Sequence, residues 1–122
     1  MHLDYEIEPD LQMPMLENSI RQLVEILLDN GVKHSPAGGE IRIRLYKENK
    51  KILLTVTNRG DEIPKGEEEK IFERFYRIDK SRNRSEGRYG LGLAIAKSIV
   101  EQHKGQISAS SANGLTTFRV KF

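Results

Sequence analysis

Apolar and polar residues alternate at the start of the chain. Leu3, Tyr5 and Ile7 interleave with Asp4, Glu6 and Glu8, the period-two pattern of a strand with one buried face, and Pro9-Asp10 ends it. From about Met15 the period changes. Leu16, Ile20, Leu23, Val24, Leu27 and Leu28 recur at helical spacing until Ser35-Pro36-Ala37-Gly38-Gly39, which predicts one long amphipathic helix. A hairpin follows: Ile41, Ile43 and Leu45 alternate with Arg42, Arg44 and Tyr46, Lys47 to Lys50 make a polar turn, and Ile52 to Val56 is a near-continuous apolar strand. Asn58 to Pro64 is broken, and Ile71, Phe72 and Phe75 then share a face of a short helix. Residues 79–90, DKSRNRSEGRYG, have no apolar period, as expected of a functional loop. Leu91 to His103 predicts a well-buried helix stopped by Gly105. Ile107, Ala109 and Ser111, an Asn113-Gly114 turn, then Phe118, Val120 and Phe122 predict a closing hairpin. Helices set between antiparallel strand pairs predict a two-layer α/β fold: about three helices on one face of a mixed, mostly antiparallel five-stranded sheet. The hairpins argue against a doubly wound parallel sheet. No repeat, low-complexity tract or linker divides the chain, so residues 1–122 are expected to form one domain.

Composition narrows the function. The chain has 122 residues, 37% hydrophobic and 31% charged, which suits a single self-sufficient core. It has no cysteine, which excludes disulfides and thiolate metal sites. No apolar run approaches the roughly 20 residues that span a bilayer, and MHLDYEIEPD lacks the regions of a signal peptide, so any membrane anchor is expected outside these residues. A net charge of +2 is too small to indicate nucleic acid. Its distribution is uneven, however. Arg77, Lys80, Arg82, Arg84 and Arg88 face only Asp79 and Glu86, so this stretch carries more positive excess than the whole chain. A solvated loop and a nucleic-acid patch are the rival explanations, but no interleaved aromatics or recognition helix accompany the charge. A polyanionic small ligand explains its position better, because a glycine-rich turn follows directly.

Three constellations carry candidate chemistry. Asn30 falls at the border of the apolar stripe of the first helix, with Lys33 and His34 one turn beyond it; an amide there can give oxygen to a hard cation while Lys33 meets phosphate. Taken alone, LLDN reads better as the edge of a surface helix capped at Asn30 or Gly31. Asn58-Arg59-Gly60-Asp61-Glu62-Ile63-Pro64 follows a buried strand, where a planar amide can bond the edge of a base and a glycine can let backbone approach a ligand. Alone, it reads as an ordinary turn. Gly87-Arg88-Tyr89-Gly90-Leu91-Gly92-Leu93 runs into a helix and offers free N–H groups and a positive helix end to phosphate. It is neither a Walker A loop nor a dinucleotide fingerprint, and glycines needed for tight packing explain it about as well.

Taken together and in order, these pieces resemble the ATP-binding catalytic domain of bacterial sensor histidine kinases. That domain has the Bergerat fold shared with gyrase-type topoisomerases, Hsp90 chaperones and mismatch-repair ATPases. LLDNGVKHSP (27–36) resembles the family's N box, KIFERFYRID (70–79) is similar to its F box, and YGLGLAIAKSIVEQHKG (89–105) looks like its second glycine box and following helix. TVTNRGDEIP (55–64) stands where the first glycine box belongs and NGLTTFRVKF (113–122) where the last hairpin does.

The resemblance implies ATP and Mg²⁺ as ligands. Asn30 would coordinate the metal, Lys33 and His34 would lie along the phosphates or ribose, Asn58 would meet the adenine amino group, and Gly60 and Ile63 would line the base. Tyr76 and Arg77 close the F box. Arg77 is the first choice for stabilising the transferred charge and Arg74 the second. Residues 78–89, with Lys80 and Tyr89, would form the ATP lid, and Gly90, Leu91, Gly92 and Leu93 would open the phosphate-facing helix. Thr116 or Thr117 would face the adenine. Ile26 stands where many relatives carry a second asparagine, and Asn58 replaces the usual aspartate, keeping an acceptor without a charge. Asp61 and Glu62 replace the box's second glycine region, and Arg88 stands where a glycine is frequent.

The implied activity is donation of the γ-phosphate to a histidine on a separate dimeric helical module of the same kinase, which passes it to a response regulator. His2, His34 and His103 have no neighbouring acidic residue of the kind that marks such a phosphoacceptor, so the module is expected outside this chain. The resemblance also implies a monomeric, cytoplasmic domain of a membrane-anchored kinase with no nucleic-acid partner. Two rivals share its features: a stand-alone anti-sigma-factor serine kinase, and a non-catalytic nucleotide-sensing module.

Overall fold

The computed structural model describes residues 2–7, 17–35, 39–60, 62–73 and 92–122. Among them are five strands, β1 (His2–Ile7), β2 (Glu40–Glu48), β3 (Lys51–Arg59), β4 (Gln106–Ala112) and β5 (Leu115–Lys121), and two α-helices, α1 (Glu17–His34) and α2 (Gly92–Gln102). The strands form one sheet in the order β1-β2-β3-β5-β4. β1 and β2 are parallel, so the chain must cross over between them, and α1 lies in that connection; the other pairs are antiparallel.

Register decides which residues face the helices. Three rows run across β2, β3, β5 and β4 on the covered side: Ile41, Asn58, Thr116, Ser111; then Ile43, Val56, Phe118, Ala109; then Leu45, Leu54, Val120, Ile107. The apolar rows pack against Leu23 and Leu27 of α1 and Ala96, Ile99 and Val100 of α2. The ring of Phe72 meets Phe118 edge-on at 6.1 Å. β3 is central, which is why Ile52 to Val56 is buried throughout and reads as a continuous apolar run. On the opposite face Arg42 bonds Asp4 at 3.3 Å and Arg44 bonds Glu6 at 3.1 Å across the parallel pair, with Arg44 also over the Tyr46 ring at 4.8 Å. These pairs are solvent-exposed and contribute at most about 1 kcal/mol each; they favour one β1–β2 register more than they stabilise the domain.

Both predicted hairpin turns are present. Asn49 and Lys50 have φ of 51° and 67°, and Asn113 and Gly114 have 56° and 77°, the left-handed pairs of two-residue turns that match strand twist. Four local expectations change. Tyr5 and Ile7, read as part of a buried face of β1, are exposed on this edge strand. α1 continues through Gly31 to His34, so neither Asn30 nor Gly31 is its cap. The expected third helix is a single 3₁₀ turn, Lys70–Phe72, after which Glu73 is extended at ψ 150°. No side chain caps it, and a single uncapped turn is too short to propagate a helix by itself. Phe75 is outside the described residues. At the end of α2, Lys104 and not Gly105 takes the left-handed conformation, φ 63°. Gly105 N–H closes the motif on the Val100 carbonyl at 2.9 Å. Gly105 is glycine for another reason: a Cβ there would lie 2.8 Å from the Lys121 carbonyl oxygen. No helix among the described residues is long and apolar enough to cross a membrane.

Because Lys104 holds a conformation that costs a side-chain-bearing residue about 1 kcal/mol, Lys104→Gly is expected to stabilise the domain by about 0.5–1 kcal/mol. A rise in the urea midpoint at constant slope would show it.

Candidate functional site

One end of the covered sheet face is polar. Its first row replaces apolar residues with Asn58, 2% exposed, Thr116, 4% exposed, and half-buried Ser111. Burying such groups costs about 1–3 kcal/mol each unless they find partners, so packing alone gives no reason for them. Ser111 Oγ lies 2.7 Å from Thr116 Oγ1 and accepts a 2.9 Å bond from Ile63 N–H. Asn58 Nδ2 donates to the Arg59 carbonyl at 3.5 Å, the outer limit of a hydrogen bond.

Two glycines bring the end of α1 onto this row. A Cβ on Gly31 would stand 3.3 Å from Ile41 Cδ1 and 3.8 Å from the Cβ of Asn58, so the helix backbone rests directly on the polar end. Asn30, the preceding residue, is half-buried beside that contact. Gly60 has φ 150°, and a Cβ there would lie 2.1 Å from the His34 carbonyl oxygen. The missing side chain therefore admits the backbone of α1 and is needed for that approach, before any ligand is considered. Lys33 is exposed and His34 half-buried at the last turn of α1; both have partners, and both complement the negative end of the helix. Ser35 Oγ, adjoining Gly60, is buried with no hydrogen-bond partner among the described residues.

α2 starts on the same side. A Cβ on Gly92, its first residue, would meet only Ile26 Cγ2 among the described residues, at an ordinary 3.6 Å. Packing among the described residues does not require glycine there. The contact sets the first turn of α2, the positive end of the helix, one turn of α1 before Asn30. Leu93 packs against the core and anchors that end.

The predicted residues thus divide. Asn30, Asn58, Gly60 and Thr116 lie at one end of the sheet, and Gly92 packs on Ile26, one turn of α1 before Asn30. Thr117 does not: the pleat turns it to the opposite face, where its Oγ1 lies 3.0 Å from that of Thr57. Of the two threonines, Thr116 is the one that shares a face with Asn58. Ile63 is a core residue, packed in the cluster of Ile71 and Phe72. Arg74, Tyr76, Arg77, Lys80, Tyr89, Gly90 and Leu91 lie outside the described residues. Gly31, Glu62 and Ser111 were not singled out as site residues by the sequence. The signal for Ser111 was a small polar residue at a core-facing strand position.

The chain matches over residues 15–122 the family described as Histidine kinase-, DNA gyrase B-, and HSP90-like ATPase. Along its full length it is 41% identical to the signal transduction histidine-protein kinase ArlS of Staphylococcus haemolyticus, and it spans 28% of that protein. Its fold is similar to that of the mycobacterial sensor histidine kinase MprB, with TM-score 0.81 and 28% identity over 99% of this chain and 80% of that one. It is also similar to the catalytic domain of histidine kinase ThkA, with TM-score 0.83 and 25% identity over 99% of this chain and 76% of that one.

Gly60→Ala is expected to destabilise the domain by on the order of 3 kcal/mol, since a methyl cannot share space with the His34 carbonyl. Thermal unfolding measures this, and Gly114→Ala, with nothing within 4 Å of the added carbon, should cost less through its φ of 77° alone.

Proposed function

We propose a function for a chain that belongs to the histidine kinase-, DNA gyrase B- and HSP90-like ATPase family: it binds ATP and donates the γ-phosphate to a histidine on a separate helical module. The observation that carries this is the polar row at the end of the covered sheet face, where the last turns of α1 rest on Asn58, the direct partner of Thr116 across β3 and β5. Buried amide and hydroxyl groups suit the edge of a base, while the positive end of a helix suits phosphate.

In this reading Asn58 and Thr116 bond the adenine, Gly60 and Ile63 hold the wall beside them, and Lys33 and His34 lie along the ribose and phosphates. Gly92 and the first N–H groups of α2 receive phosphate oxygens. Arg77, with Arg74 as the second candidate, neutralises charge on the moving phosphoryl group; Tyr76, Lys80, Tyr89, Gly90 and Leu91 complete the nucleotide contacts. The phosphorus–oxygen bond to ADP breaks as a phosphorus–nitrogen bond to the acceptor forms, so the domain's work is alignment and charge stabilisation.

A divalent cation is tested by the donors available. Among the described residues no group of three or more His, Cys, Asp or Glu could enclose one. Asn30 offers one hard oxygen at the site, and Ile26, a turn earlier, offers none. Such a donor set fits Mg²⁺ held by Asn30 together with substrate phosphates and water, the usual manner for this ion. When bound, it would neutralise phosphate charge.

That the named relatives are histidine kinases favours a histidine acceptor over the serine-kinase and nucleotide-sensing readings. The chain spans 28% of the length of the curated relative, which leaves room for the acceptor helices, a membrane anchor and the response-regulator contact in the rest of a full-length, membrane-anchored protein. This chain would then be its monomeric cytoplasmic catalytic domain.

Calorimetry with a non-hydrolysable ATP analogue should show binding that strengthens with Mg²⁺, and Asn58→Ala should weaken it by about tenfold or more, as expected for removing a buried hydrogen-bonding group. No binding by the unaltered chain would refute the proposal. With radiolabelled ATP, the chain alone should acquire no label; a supplied phosphoacceptor module should acquire it, and Asn30→Ala should abolish that transfer.

A further inference from the structure

The stretch after Asn58 is fastened to the β4–β5 hairpin at three points. Gly60 N–H donates to the Gly114 carbonyl at 3.0 Å, Gly114 N–H donates to the Glu62 carboxylate, and Ile63 N–H donates to Ser111 Oγ at 2.9 Å. Only the last of these also reaches the base-reading pair, because Ser111 Oγ is 2.7 Å from Thr116 Oγ1. Thr116 in turn is the direct partner of Asn58 across β3 and β5.

The chemistry of a hydroxyl gives this arrangement a direction. Ile63 N–H is a donor only and occupies a lone pair of Ser111 Oγ, leaving Ser111 one proton and one further acceptor site. If Ser111 gives its proton to Thr116, the Thr116 proton is directed elsewhere; if it accepts from Thr116, Thr116 presents lone pairs instead. The direction of this bond therefore bears on whether Thr116 meets a ligand as donor or acceptor. We propose that Ser111 is a positioning residue for adenine: it orients the Thr116 hydroxyl and, through Ile63 N–H, holds the strand exit that carries Asn58. Neither role involves contact between Ser111 and the nucleotide. The proposal rests on the reading of Asn58 and Thr116 as the base contacts.

The test is a double-mutant cycle on ATP affinity with the full chain. Ser111→Ala should weaken ATP binding about tenfold, and Ser111→Thr, which keeps the hydroxyl, should recover affinity to within about threefold of the unaltered chain. Adding Ser111→Ala to Thr116→Ala should cost less than about a further threefold, because the two act as one unit. A general loss of packing would give additive losses and no rescue by threonine. An affinity within twofold for Ser111→Ala, or full additivity in the double variant, would overturn the proposal while leaving ATP binding by Asn58 intact. Absence of ATP binding by the unaltered chain would overturn both. Urea unfolding of each variant identifies the folded fraction; should Ser111→Ala not fold, the ratio of Ser111→Thr to Ser111→Cys, which carries a poor hydrogen-bonding group of similar size, takes its place in the comparison.

Discussion

The last turns of α1 lie close against the end of the sheet and the backbone of Gly60 just beyond it, and the arrangement of the candidate site follows from that contact. It needs glycine on both sides: Gly31 rests on Ile41 and Asn58, and Gly60 meets the His34 carbonyl. With a side chain at Gly60 the end of α1 would have to move, whereas one at Gly31 would press on the Ile41 side chain. Close-packed interiors transmit such shifts, because there is little free space to absorb them. The apolar rows deeper in the sheet fix the helix along its length, with Leu23 and Leu27 seated over the central strands.

The same contact accounts for an uneven division of labour across the sheet. Two of the three covered rows are apolar and supply cohesion, and the third, at the α1 end, carries Asn58, Thr116 and Ser111. Placing polar groups at the margin of a core costs stability, and hydrogen bonding among Ser111, Thr116 and the Ile63 N–H offsets part of that cost. Glu62 adds a tether from the same segment to the β4–β5 turn. In this chain a carboxylate holds the segment to the hairpin. α2 completes the arrangement from the other side by bringing its positive end against Ile26.

Much of this was legible in the residues. Period-two and helical spacing located every strand and both long helices, and Asn113-Gly114 marked its turn, because these features depend on neighbours a few positions away. The order of the boxes around Asn30, Asn58 and Gly92 pointed to the family, since each motif is contiguous. The sequence was less informative where an outcome depends on contacts distant along the chain. Gly31 looked like a helix cap and proved to be a packing surface, and Gly105 was read as the stop of the helix although Lys104 takes the left-handed turn there.

What the sequence determined by itself, then, was the set of elements, the two-layer class and the residue types gathered for the chemistry, all local or motif-level properties. The tertiary structure alone decided which face each strand residue occupies. It chose Thr116 over Thr117 by register, brought Ser111 to Thr116 across a hairpin, and assigned Gly60 to the approach of α1. These are relations between segments separated by many residues, and no local preference encodes them. They arise when the apolar rows are buried together and the pleat leaves each remaining polar group only one direction to point.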